Sequence, residues 1–229
     1  MSESKMSIGW IGAGRMGIQL ATRLIEAGYD VAVYNRTKSK LQPLLDIGAT
    51  AVDRPVDLSG RDLVFSMVSA SADLKQVMLG EGGLLTGSET PQIVADSSTV
   101  SPEASAEIRA AAEAKGTAFL ATPVSGNPAV IAAGKLTVAA SGPRETFEKV
   151  ESVLEVFGRG VTYVGEGEVA RLVKIAHNVF LGVVTQSLSE ITVLAEKGGV
   201  SREAFLTFLT DGLKKIKLRG PTSGRITSS

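Results

Sequence analysis

The sequence predicts an α/β protein: a doubly wound, mainly parallel sheet, then one long helix, then an incomplete all-α domain. Three observations predict it. Short apolar runs alternate with helical stretches over residues 8–165, a glycine-rich turn follows the first run, and uninterrupted helical patterning covers residues 168–197 once the alternation stops.

The first strand is Ile8–Ile11 and the second Val31–Tyr34, with a helix over 16–27 between them. A second helix is expected over 38–47, and strands over 63–67 and 93–95. Pro102 opens an alanine-rich helix over 102–115, with Ser101 as its cap and Glu103 in its first turn. Strands over Ala118–Ala121, 136–140 and 161–164 complete the series, the last two separated by a helix over 144–157. Beyond Gly165-Glu166-Gly167 comes a helix over 168–197, closed by Gly198-Gly199. Its centre is apolar on most faces, so it is expected to be buried. A helix so long does not suit a sheet crossover and reads as a connector into a helical domain continued over 202–209. The expected divisions are a sheet domain over 6–165, the connector and first helical elements over 166–211, and a basic, disordered tail over 212–229.

Lysine plus arginine and aspartate plus glutamate each total 24, so no net field selects nucleic acid or an anionic membrane. There are no cysteines, which excludes disulfides, thiol nucleophiles and cysteine-ligated metals, and with one histidine no histidine-rich metal site is expected. No signal peptide and no bilayer-spanning stretch are expected, and the protein is placed in the cytoplasm.

The turn after the first strand reads Gly12-Ala13-Gly14-Arg15-Met16-Gly17. Gly12 permits a tight turn, Gly14 lets a pyrophosphate approach the backbone, and Gly17 lets the helix pack against the strand. This is the Rossmann-type dinucleotide fingerprint. Where an NAD site usually carries an acid at the end of the second strand, this chain has Asn35-Arg36-Thr37, followed by Lys38. A guanidinium, a hydroxyl and an ammonium suit a 2′-phosphate, so NADP is favoured over NAD. Thr37 as a plain helix cap accounts for the same residues.

Three further groups lie where ligands would be met. Asp96-Ser97-Ser98-Thr99 sits at the carboxyl end of a strand, to touch a ligand or cap the next helix. In Thr122-Pro123-Val124-Ser125-Gly126-Asn127-Pro128, the Ser125 hydroxyl and the Gly126 and Asn127 amides converge as a carboxylate-binding turn, or form a bare turn with Asn127 as cap. Lys174 and Asn178 share one face of the long helix with His177. A lysine buried among apolar neighbours has a lowered pKa, as a proton donor near neutrality requires, and Asn178 is placed to hold a substrate oxygen. A snorkelling lysine is the alternative, and His177 reads as a packed core residue.

Together these motifs resemble the β-hydroxyacid dehydrogenase family in order and spacing, over about Ser7 to Leu209. The resemblance implies Lys174 as catalytic acid and base, Asn178 orienting the substrate, and Ser125 and Gly126 binding its carboxylate. It also implies that Met67-Val68-Ser69 and Thr99 line the cofactor. The chain departs from the family at Ala121-Thr122, Asn127 and His177, and from Leu213 onward, where the family continues with helices that complete the pocket and usually the dimer. The reaction expected is hydride transfer between NADPH and a small carboxylate substrate. Expected alternatives are an NADP-binding fragment with impaired catalysis and an imine reductase, a branch that usually replaces the lysine. The missing helices count against a homodimer.

Overall fold

The computed structural model describes residues 5–213, so the expected tail lies, from Lys214 on, outside the described residues. Its strands are β1 (Ile8–Ile11), β2 (Val31–Tyr34), β3 (Thr50–Ala51), β4 (Leu63–Ser66), β5 (Ile93–Asp96), β6 (Ala118–Ala121), β7 (Val124–Ser125), β8 (Leu136–Ser141) and β9 (Gly158–Gly165). The helices are α1 (Arg15–Glu26), α2 (Gln42–Leu45), α3 (Ser71–Leu79), α4 (Pro102–Glu113), α5 (Pro128–Ala132), α6 (Arg144–Glu155), α7 (Val169–Lys197) and α8 (Arg202–Leu213).

The sheet runs in the order β3-β2-β1-β4-β5-β6-β8-β7, with β9 beside β8. The pairs from β3 to β6 are parallel, while β8 runs antiparallel to β6 and β7. This is the doubly wound order, and it places the carboxyl ends of β1 and β4 side by side where the chain direction across the sheet reverses. Strand residues alternate between two buried faces, as a sheet covered by helices on both sides requires. Ile8, Trp10, Leu63 and Phe65 belong to one core, while Ile11 and Val64 belong to the other. In the first core Trp10, Phe65 and Phe157 form a triangle with ring centroids 5.2–6.0 Å apart. Such aromatic pairs are worth about 0.5–1.5 kcal/mol each beyond the area they bury.

Local chemistry reshapes two expected elements. The helix expected over 38–47 is a 3-10 turn, Lys38–Leu41, followed by the four-residue α2 with Pro43 in its first turn. The helix α3, which the apolar spacing leaves unmarked, follows β4 and forms one wall of the site below.

The chain divides into two compact units, Met1–Ala176 and His177–Ser229, and α7 runs through the division. Here two expectations are corrected. The centre of α7 is exposed rather than buried: Phe180 is 63% exposed, and of its 29 residues Ala170, Arg171 and Thr192 alone are buried. Apolar composition sets a demand for cover, but burial needs another element against the helix. The helix is also long and apolar enough to cross a membrane, by length and composition, contrary to the expectation that no stretch would be. Its interior glycine and hydroxyl residues do not lower its apolarity enough to fail that test. The helix α8 ends at Leu213, two residues beyond the expected boundary at 211.

Candidate cofactor and substrate site

The glycine turn has the geometry its spacing predicts. Gly12 has φ +107°, and a Cβ there would lie 2.2 Å from the Met67 carbonyl oxygen. At Gly17 a Cβ would stand 2.1 Å from the Gly12 oxygen, so α1 packs against the turn only without a side chain. Around Gly14, by contrast, a Cβ would meet no protein atom within 4 Å. Gly14 adjoins α1 with extended backbone, no side chain caps the amino terminus of this 12-residue helix, and Gly14 lines the cleft. A helix amino terminus that is uncapped, open and beside a cleft is suited to a pyrophosphate. The residues therefore fit a dinucleotide.

Two side chains hold the turn. The buried Trp10 Nε1 donates to the Gly12 oxygen at 2.9 Å. The Asn35 Oδ1 accepts from the Ala13 amide at 2.9 Å, while its Nδ2 donates to the Thr37 oxygen at 2.8 Å. Asn35 thus fastens the end of β2 to the turn. We expect Gly17→Ala to displace this turn, at a cost of about 1–3 kcal/mol of stability read by urea denaturation, and to weaken dinucleotide binding.

The cleft beside the turn has about 730 Å³ of empty space. Gly12, Ala13, Gly14, Asn35, Arg36, Thr37, Met67, Val68 and Ser69 line it. Arg15, Met16 and Gly17 form the first turn of α1, while Thr99 is exposed and not among the lining residues. Lys40, Asp73, Gln76 and Val77 line it too and escape the sequence reading. Lys40 lies three residues beyond Thr37, a spacing that could have signalled it. The α3 residues carry no such signal. Lys38 turns elsewhere: its ammonium lies 2.5 Å from Asp53, which raises its pKa by hydrogen bond and charge. Arg36 is 84% exposed and lies 3.3 Å from Asp73 across the cleft.

In the Asp96-Ser97-Ser98-Thr99 cluster the first three residues are buried and Thr99 is exposed. Asp96, fully buried, accepts at Oδ1 from the Ser66 and Ser98 hydroxyls, each at 2.6 Å, and at Oδ2 from Arg171 Nη2 at 2.6 Å. Arg171 is 2% exposed and also donates to the Ser98 carbonyl and to Glu168, which accepts in turn from Arg109. The Ser98 Oγ accepts the Val68 amide of the cleft at 2.9 Å. Ser101, not this cluster, caps α4 by accepting the Ala104 amide. Two arginines and two carboxylates thus join the end of β5, the cleft loop and the first turn of α7, with every charge paired. The sequence hint was a guanidinium placed among apolar helix residues.

Lys174 lies one turn beyond Arg171 on the same helix, half-buried rather than fully buried, and burial lowers its pKa. His177 and Asn178 follow in the second unit, His177 half-buried and Asn178 exposed. The Ser125-Gly126-Asn127 turn forms at the end of β7, with Gly126 at φ +152°. The Asn127 Oδ1 accepts the Val130 amide at 3.0 Å, so its side chain caps α5. Of the expected substrate residues, Ser125 is half-buried and Gly126 and Asn127 are exposed.

The NAD binding domain of 6-phosphogluconate dehydrogenase matches residues 7–165. The oxidoreductase YfjR of Bacillus subtilis (strain 168) is 36% identical over 203 residues, covering 88% of this chain and 71% of that one. The 2-(hydroxymethyl)glutarate dehydrogenase of Eubacterium barkeri is 31% identical over 202 residues, covering 88% of this chain and 67% of its own length. Among solved structures, Mycobacterium tuberculosis 3-hydroxyisobutyrate dehydrogenase with L-serine superposes with a TM-score of 0.83 at 25% identity, over 91% of this chain and 71% of that one.

Proposed function

This chain belongs to the β-hydroxyacid dehydrogenase family, and from that premise we propose that it transfers a hydride between NADPH and a short carboxylic acid bearing a hydroxyl or carbonyl group. The observation that carries the reading is Lys174, half-buried one turn beyond the guanidinium that Asp96 holds. Arg36, Thr37 and Lys40 at the mouth of the cleft, with no acid at the end of β2, favour the 2′-phosphate. The nicotinamide, when bound, supplies or accepts the hydride.

In reduction the Lys174 ammonium donates its proton to the substrate oxygen as the carbonyl becomes an alkoxide, leaving a neutral amine and an alcohol. In oxidation the neutral amine takes that proton back. Desolvation favours the neutral amine and brings both states nearer to working pH. Ser125 and the amides of Gly126 and Asn127 bind the carboxylate, and Asn178 orients the reacting oxygen.

The test is NADPH oxidation by the 229-residue chain with glyoxylate, succinic semialdehyde and methylmalonate semialdehyde, repeated with NADH. Turnover of one of the three with NADPH preferred supports the reading. NADPH binding without turnover of any of them would leave a cofactor-binding domain and overturn the catalytic assignment. Arg36→Ala is expected to weaken NADPH binding about tenfold, as loss of a charge-assisted contact does, and to leave NADH within about twofold. Equilibrium titration of cofactor fluorescence reads both.

A further inference from the structure

We propose that Asp73 is a specificity-determining residue that opposes the 2′-phosphate by occupying Arg36. The inference rests on the reading of Arg36 as a phosphate ligand and adds the group that competes for it. Asp73 stands in the first turn of α3, on the wall of the cleft facing the end of β2. Its Oδ1 lies 3.3 Å from Arg36 Nη1, and its side chain is 32% exposed. Both residues line the same cleft as Gly14 and Lys40.

Two neighbouring cations are otherwise engaged. Lys38 pairs with Asp53, and Lys75, the next cation on α3, pairs with Glu107. Among the described residues, Asp73 is therefore the carboxylate placed against the cation best positioned for an incoming anion. A 2′-phosphate dianion reaching Arg36 competes with the Asp73 carboxylate for the guanidinium and lies beside a like charge. A 2′-hydroxyl leaves the ion pair intact. Asp73 thus narrows the preference for NADP and lets the cleft accept NAD. An exposed pair of this kind contributes little, so the effect is expected to be modest and weakened by salt.

The experiment measures dissociation constants of NADPH and NADH for the wild type, Asp73→Asn, Arg36→Ala and the double variant, at low and high salt. Asparagine keeps the size of the side chain at a partly exposed helix start, and thermal melts check that the fold is unchanged. The expected result is NADPH binding about three- to fivefold tighter in Asp73→Asn at low salt, with NADH within twofold. That gain should shrink at high salt and vanish in the Arg36→Ala background. An unchanged or weakened NADPH affinity in Asp73→Asn overturns the proposal. So does a gain that persists without Arg36, since the carboxylate would then act without occupying it. If Arg36→Ala leaves NADPH affinity untouched, the reading of the phosphate site fails and this proposal falls with it. If Arg36→Ala weakens NADPH and Asp73→Asn changes nothing, only this proposal falls.

Discussion

Lys174→Ala is expected to lower turnover by about 10²- to 10⁴-fold, the range for removing a general acid or base, with NADPH affinity unchanged within about twofold. The split follows from position: Lys174 is on α7, whereas the cleft residues come from β1 and the glycine turn, β2 and the segment after it, the loop after β4, and α3. The pH profile adds a sign. Burial lowers the folded pKa of Lys174 below its ordinary 10.5. In the reducing direction the protonated amine is required, so the rate should fall as pH rises through a value below 10.5. In the oxidising direction the neutral amine is required, so the rate should rise over the same window. Lys174→Ala should abolish both limbs. For stability, the unfolded chain holds the proton more tightly, so the contribution of this lysine increases as pH rises towards 10.5. Wild-type turnover by Lys174→Ala would overturn its assignment, whatever becomes of the cofactor site.

Arg171→Met is expected to cost about 3–5 kcal/mol of folding stability, because it leaves Asp96 buried with its charge uncompensated. For a chain of this size that corresponds to a fall of roughly 10 °C in melting temperature. Two hydroxyl donors, from Ser66 and Ser98, remain on Asp96 but carry no charge to neutralise it. Because Ser98 also accepts the Val68 amide of the cleft, the damage should extend to weaker dinucleotide binding. Replacing both partners, with Asp96→Leu added to Arg171→Met, is expected to recover part of the lost stability, since no unpaired charge then stays buried. A double variant as unstable as the sum of the singles would mean that the pair contributes through packing alone.

Much of the sheet domain was legible because its signals are local. A strand buried on both faces shows as a short apolar run, and β1, β2 and β6 lie where those runs lie. Pro102 after Ser101 marks a helix start whose cap is made by neighbours in sequence. The glycine turn was legible for the same reason, since positive φ and close backbone approach leave glycine in the chain. Pro43 shows why the stretch 38–47 misled: apolar spacing persisted there while the backbone shortened into a 3-10 turn and a four-residue helix.

Other features depend on residues far apart in the chain. Asp96 and Arg171 are separated by 75 positions, and nothing near either residue announces the other. Read locally, the Asp96 cluster offers hydroxyls to a ligand; folded, Ser98 gives its hydroxyl to the buried Asp96 carboxylate and Ser97 pairs with Thr122. Asn35 fastens the glycine turn across 22 positions, and Asp73 enters the cleft because Leu74 and Met78 of α3 share a core with Ala32 of β2 and Val64 of β4.

By itself the sequence determined the alternating sheet, the dinucleotide turn and the length of α7, because propensity, glycine geometry and periodicity act within a few residues. The tertiary structure alone decided which charges meet and which apolar surfaces are covered. Pairing and burial are properties of two partners, and a helix as apolar as α7 states only half of that relation.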